Sequence, residues 1–224
     1  MRYSGWILAP LVMLALAGCG KSNTQASSVT YKSMDWGPMG QTSTAKTSSM
    51  GPSNTSSHVG NYLAGPQAWG VRNPKPWRYI VIHHSATASG SAAVFHASHK
   101  ARGWDGLGYH FVIGNGTGSG DGVVEVGYRW RDQRTGAHTG STPGNAYNEY
   151  GIGICIVGNF SNSMPSRAQL TSLNQLVCHL QDTYNIPAHN IIGHRDAPNA
   201  ATECPGTQLT RYLRGTFQPY LAKR

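Results

Sequence analysis

Glycine and proline punctuate this chain so often, 28 and 12 times in 224 residues, that no long apolar period survives. A soluble coiled coil is excluded on that ground, leaving short elements joined by turns. Four cysteines are too few to staple a chain of this length into a disulfide-built mini-domain. The length suits one domain of ordinary size with extensions. Only 12% of the residues are charged, about half the usual share, so Ser, Thr, Asn and Gly carry much of the polarity.

Residues 78–83 are mostly β-branched or aromatic and follow Pro76, which reads as a buried strand. Residues 91–100 read as a short helix that stops before Gly103. Strands at 109–113 and 123–126 flank a glycine run, 114–122. A phosphate-binding loop would open a helix; this run leads into a strand and reads as a hairpin connection. Another apolar strand is expected at 152–157. Pro165 and Ser166 open a helix to about Tyr184, with Leu170, Leu173, Val177 and Leu180 on one face. Residues 191–193 read as a short strand before His194. Interleaved strands and helices with one hairpin predict an α/β domain: a mixed central β-sheet covered by helices.

Ahead of that domain, residues 1–18 have the layout of an export signal. Arg2 gives the positive start, 6–16 are apolar apart from Pro10, and small residues close the segment. The apolar stretch is shorter than the roughly 20 residues a bilayer span takes. Leu16-Ala17-Gly18-Cys19 resembles the bacterial lipobox, which implies cleavage before Cys19 and its acylation through sulfur. Gly20, rather than Asp, next to that cysteine implies a lipid anchor in the outer membrane, facing the periplasm of the cell envelope. Residues 19–65, the acylated Cys and a Ser/Thr-rich stretch, bury too little to repay ordering and read as a flexible tether. Residues 66–224 form the domain.

Ten histidines make position more informative than number. His83 and His84 end the first strand, and side chains alternate there, so only one of them faces a given site. His194 and Cys204 lie close together after the last strand. Imidazole and thiolate are natural zinc ligands, and three protein ligands leave a fourth position for water. Residue chemistry alone allows a metal site without requiring one.

Five blocks narrow this. Val81-Ile82-His83-His84-Ser85-Ala86-Thr87, Gly108-Tyr109-His110-Phe111, Gly136-Ala137-His138, Gly151-Ile152-Gly153-Ile154, and Gly193-His194-Arg195-Asp196 with Thr202-Glu203-Cys204-Pro205-Gly206 follow in that order. Together they resemble the zinc-dependent N-acetylmuramoyl-L-alanine amidases, the phage-lysozyme-type and peptidoglycan-recognition-protein superfamily. The likeness spans about 79–209. It implies that His83, His194 and Cys204 hold Zn2+ and that Tyr109 bonds near the metal water and the substrate carbonyl. Thr202 takes a position that is Lys in phage-type members, and is expected to take part in proton transfer. His138 is expected to contact substrate; Trp104, just ahead of Tyr109, reads either as lining the peptide groove or as a packed loop anchor. The implied activity is hydrolysis of the amide joining N-acetylmuramic acid to L-alanine in peptidoglycan. The competing reading is a non-catalytic receptor of the same fold that binds muropeptides.

The remaining residues carry plainer expectations. Cys155 and Cys178 read as core residues, with a disulfide between them left open by export. His96 and His99 read as an exposed polar face, and Glu149 as the nearest carboxylate for a supporting role. Arg129, Trp130 and Arg131 form a basic-aromatic cluster, either a carboxylate site or solvated surface. The net charge of +9 is dispersed and matches no nucleic-acid motif; attraction to an anionic cell wall accounts for it. The expected partners are peptidoglycan or muropeptides and, through the lipid, a membrane, with the domain a monomer.

Overall fold

The computed structural model describes residues 71, 73–140 and 142–224, together with the backbone of a strand at Tyr31–Ser33. The expected export signal, Cys19 and the rest of the tether lie outside the described residues. Six strands form one mixed sheet: β1 Tyr31–Ser33, β2 Tyr79–His84, β3 Phe111–Ile113, β4 Val124–Val126, β5 Gly151–Ile156 and β6 Ile191–Gly193. Their order is β1-β4-β3-β5-β2-β6. β3 and β4 pair antiparallel across the glycine run, as a hairpin. The other neighbours are parallel. β1 adds a three-residue edge strand from within the segment read as a tether.

Alternation along the strands divides the sheet into two unlike faces. Ile80, Ile82, Phe111, Ile113, Ile152, Ile154 and Ile156 all enter one large core. Each such isoleucine contributes about 2 kcal/mol through burial. Against them pack Leu173, Leu176, Val177 and Leu180 of α4 (Arg167–Tyr184), and Leu209, Leu213 and Phe217 near the C-terminus. The opposite face presents His83, Val112, Gly151, Gly153 and Cys155. It carries a smaller cluster in which Val112, Cys155 and Leu107 meet Ala92 of α1 (Ala92–Ala101). The Gly151-Ile152-Gly153-Ile154-Cys155-Ile156 pattern is this division written in sequence, large residues to the core and small ones to the other face.

The helices start and stop where local chemistry says they should. Ser91 caps α1 by accepting the Val94 N–H at 3.3 Å. The buried Glu125 carboxylate on β4 accepts the Ala92 N–H at 2.7 Å, placing a negative charge at the helix's positive end. α4 opens on a reciprocal capping box between Ser166 and Gln169 and closes on Asn185 at φ 53°. Two short helices, α2 (Tyr128–Arg131) and α3 (Ala146–Glu149), sit in the connections. The sequence reading has no counterpart for the C-terminal helix. There α5 (Thr207–Tyr212) continues through a π-wound turn, Leu213–Phe217, into α6 (Gln218–Leu221). Pro219 has no N–H to offer the Gly215 carbonyl and its ring crowds it, which the widened turn relieves. No described helix is long and apolar enough to cross a membrane.

Cys155 and Cys178 are core residues as expected, and two other expectations, the basic-aromatic cluster and the His96–His99 face, are corrected. Cys155 is a free, fully buried thiol and so is not joined to Cys178. Trp130 is fully buried and Arg129 is 7% exposed, so the basic-aromatic cluster is not a surface patch. Arg129 spends its guanidinium on the backbone carbonyls of Leu107 and Thr135 and is not a carboxylate site. His99 is buried rather than part of an exposed polar face.

Candidate metal centre and active site

β2 and β6 run parallel and end side by side, which brings their C-terminal residues to one edge of the sheet. His83 is the fifth residue of β2 and His194 follows β6 directly. The loop back from His194 returns Cys204 to the same point, tied by the Arg195 N–H donating to the Cys204 carbonyl at 2.7 Å. One ligand atom each from His83, His194 and Cys204 lies within 4.8 Å of the others. The Cys204 Sγ stands 3.7 Å from the His83 Nδ1 and accepts the His84 backbone N–H at 3.4 Å. The His84 ring instead accepts the Phe160 N–H through Nδ1, at 3.3 Å. Alternation turns the two rings to different partners, although His84 also lines the cleft.

Hydrogen bonds settle which nitrogen of His83 is free. The His138 Nε2 lies 3.2 Å from the Gly151 carbonyl, which can only accept, so that nitrogen carries the proton. The His138 Nδ1 is then an acceptor, 3.2 Å from the His83 Nε2, which must donate. His83 is left with its Nδ1 lone pair directed toward Cys204. This is the support that metal-ligating histidines require of their second nitrogen. Burial, and after it the neighbouring His138 and His194, push His83 well below the usual histidine range and keep it neutral. Burial lowers His194 as well. Burial raises the Cys204 thiol to about 12, so a nearby cation is what would make it a thiolate. Two neutral imidazoles and a thiol around an open cleft fit Zn2+ with one position to spare.

The site opens into a cleft of about 510 Å³, whose lining includes Tyr109, Trp104, Arg102, Thr202 and Asn148. No Asp or Glu is among its described lining residues. Glu149 is absent from it as well; its backbone carbonyl accepts from the Lys75 ammonium at 2.7 Å. Tyr109 packs its ring 5.2 Å from that of His83, and its hydroxyl hydrogen-bonds with the Cys155 thiol. Burial raises the phenol well above its ordinary range, so it remains a proton donor at neutral pH. Trp104 lies at the rim, 44% exposed, its ring 4.7 Å from that of His99. Thr202 accepts the Cys204 N–H at 3.1 Å, which braces the ligand loop and leaves its own O–H free to donate.

His138 lines the cleft, but both ring nitrogens are committed to His83 and Gly151. It therefore supports the candidate ligand His83 from within the cleft where the sequence expects a substrate contact. The His96–His99 pair also acquires a purpose. Their Nδ1 atoms accept successive N–H groups, Leu107 at 3.3 Å and Gly108 at 3.0 Å, while Arg129 holds the Leu107 carbonyl at 2.7 Å. The segment leading into Tyr109 is thus clamped from both sides. Three residues apart on a helix is the spacing that puts two such acceptors on one face.

His110, fully buried beside this segment, is held neutral by its partners. Its Nδ1 accepts the Gly153 N–H and its Nε2 donates to the Arg134 carbonyl, both at 3.0 Å. Burial lowers its pKa to about 3. The unfolded chain takes up that proton near pH 6.5 and the native one does not, so stability is full above 6.5 and is lost as pH falls toward 3. The loss from His110 alone is at most about 5 kcal/mol. Urea midpoints of the metal-free protein should therefore rise with pH between 4 and 6.5; a flat or falling profile contradicts this.

The comparisons with known proteins agree with this geometry. The N-acetylmuramoyl-L-alanine amidase family matches residues 73–207. A mouse protein named N-acetylmuramoyl-L-alanine amidase is 28% identical over 167 residues, 65% of this chain and 29% of that protein. The chain thus spans under a third of that relative's length. The amidase LysC from Clostridium intestinale superposes with a TM-score of 0.53 at 32% identity, covering 66% of this chain and 85% of the other. Human PGRP-IBETAC, solved in complex with glycosamyl muramyl pentapeptide, gives 0.51 at 25% identity, covering 68% and 94%. The match over 73–207 takes in His83, Tyr109, His138, His194 and Cys204, and the chain belongs to the N-acetylmuramoyl-L-alanine amidase family.

Proposed function

We propose that the domain is a zinc-dependent hydrolase that cleaves the amide between the lactyl group of N-acetylmuramic acid and L-alanine in peptidoglycan. The observation that carries this reading is the meeting of His83, His194 and Cys204 within 4.8 Å in a cleft shared with Tyr109. Zinc bound there supplies Lewis acidity and an activated water at neutral pH. The protein's own groups do the rest. His138 holds His83 in the ligating tautomer. The neutral Tyr109 hydroxyl leaves Cys155 to donate to the carbonyl oxygen as it gains charge, an interaction typically worth about 3 kcal/mol. With no carboxylate among the described cleft residues, the leaving amine takes its proton from solvent, relayed through the Thr202 hydroxyl. Trp104 at the rim and Arg102 beside it bind the peptide arm. In the cell the domain works at the envelope, as a monomer held to the outer membrane by lipid on Cys19.

Purified peptidoglycan digested with the protein, with and without a chelator, should release intact stem peptides beginning at L-alanine only when zinc is present. Mass spectrometry of the soluble products reads the result. Binding without release, from protein shown to hold zinc, would instead establish the receptor reading, toward which the muropeptide complex of the human neighbour points.

A further inference from the structure

The carboxamide of Asn148 is saturated. Its Oδ1 accepts the backbone N–H groups of His138 at 2.8 Å and Thr139 at 2.9 Å. Its Nδ2 donates to the Thr139 carbonyl at 2.7 Å and to the Asn145 side-chain oxygen at 2.8 Å. Asn148 is 8% exposed and belongs to α3, a different element from any of the candidate ligands. An aspartate of the same shape can accept twice but cannot donate, and a serine can reach fewer of the four partners. Two acceptances and two donations at one point call for an amide.

What that amide holds is the His138 backbone, and His138 is the link to the metal site. The His138 ring stands in a slot opened by missing side chains: a Cβ at Gly153 would lie 2.4 Å from its Cδ2, and one at Gly136 2.5 Å. Within the slot the ring bridges the Gly151 carbonyl and the His83 Nε2. How deeply the ring sits along that line is set by the backbone, which the Ala137 N–H ties to the Gly108 carbonyl and the Asn148 amide holds at His138 itself. If it slips, His83 loses the acceptor that keeps its proton on Nε2. The proton then has access to Nδ1, the atom that must be bare to ligate.

We propose that Asn148 is a positioning residue of the metal centre, acting through His138 to keep the His83 Nδ1 unprotonated and aimed at the ion. The inference rests on the zinc reading above but not on the hydrolytic one. Its test uses zinc alone, with the metal-free full chain and a chromophoric chelator as competitor. Kd is measured for the native protein, Asn148→Ala, His138→Ala and the double variant. Each single substitution should weaken zinc about 10- to 100-fold, and the double variant should be no weaker than His138→Ala. Nitrogen-15 histidine NMR of the metal-free Asn148→Ala protein should show His83 shifting from one tautomer to a mixture, a change that a merely structural role would not produce. Unchanged affinity in folded Asn148→Ala, or losses that simply multiply in the double variant, would overturn the proposal. Should Asn148→Ala fail to fold, Asn148→Asp carries the same cycle, since it keeps both acceptances and loses both donations. A native protein that binds no zinc sinks this inference along with the metal reading. One that binds zinc without hydrolysing peptidoglycan sinks only the amidase reading.

Discussion

Cys204→Ser should abolish peptidoglycan hydrolysis, by roughly a thousandfold or more, because it removes the one candidate ligand that carries charge when the metal is bound. The thiol needs a dication to ionise, since burial holds it at about 12. A serine hydroxyl is far harder to ionise in the same surroundings. The substitution keeps the size of the side chain and its place opposite the His83 Nδ1 and the His84 N–H. The metal-free variant should therefore melt within a few degrees of the native protein while its zinc content falls. Retention of full activity by the chelator-treated variant would remove the metal from the mechanism altogether.

Tyr109→Phe should lower kcat by about 10²- to 10³-fold and leave KM within a few-fold, the signature of an interaction made mainly in the transition state. The clean reading of this variant depends on how Tyr109 is held. His96, His99 and Arg129 fix the backbone just before it, and its ring packs beside His83 whether or not it carries a hydroxyl. Phenylalanine keeps all of that and loses only the O–H and its bond with Cys155. Zinc affinity should be unchanged. Equal kcat in the two proteins would mean that the hydroxyl only parks on the thiol and plays no part in the chemistry.

Much of this arrangement was legible in the sequence. The parallel core strands announce themselves as runs of isoleucine and valine, and the glycine run shows its hairpin by leading into a strand. The three candidate ligands were named by a resemblance in which five blocks kept their order, and the fold brings them together. The misreadings share a cause. Residue type alone puts His99 and Arg129 at the surface, yet each, like the His138 that the resemblance places in the site, is defined by a backbone carbonyl or N–H that it meets across a fold. A pattern of side chains does not encode those partners: Gly151 for His138, Gly108 for His99, Leu107 for Arg129. Asn148 escaped notice for the same reason, since all its partners lie within ten residues but only the turn through α3 aims them at one amide. The C-terminal helix was hidden by Gly215 and Pro219, which ordinarily end helices and here widen one.

The unequal faces of the sheet have an evolutionary consequence. The isoleucine face and its helices carry most of the apolar burial, while His83 stands on the other side, with its smaller cluster, beside Gly151 and Gly153. Substitutions at the candidate ligands therefore fall outside the larger apolar core. A lineage can lose the Cys204 thiol in a single step and still inherit the larger core and the helices that cover it. On such a scaffold, forms with and without the thiol are neighbouring genotypes, one substitution apart.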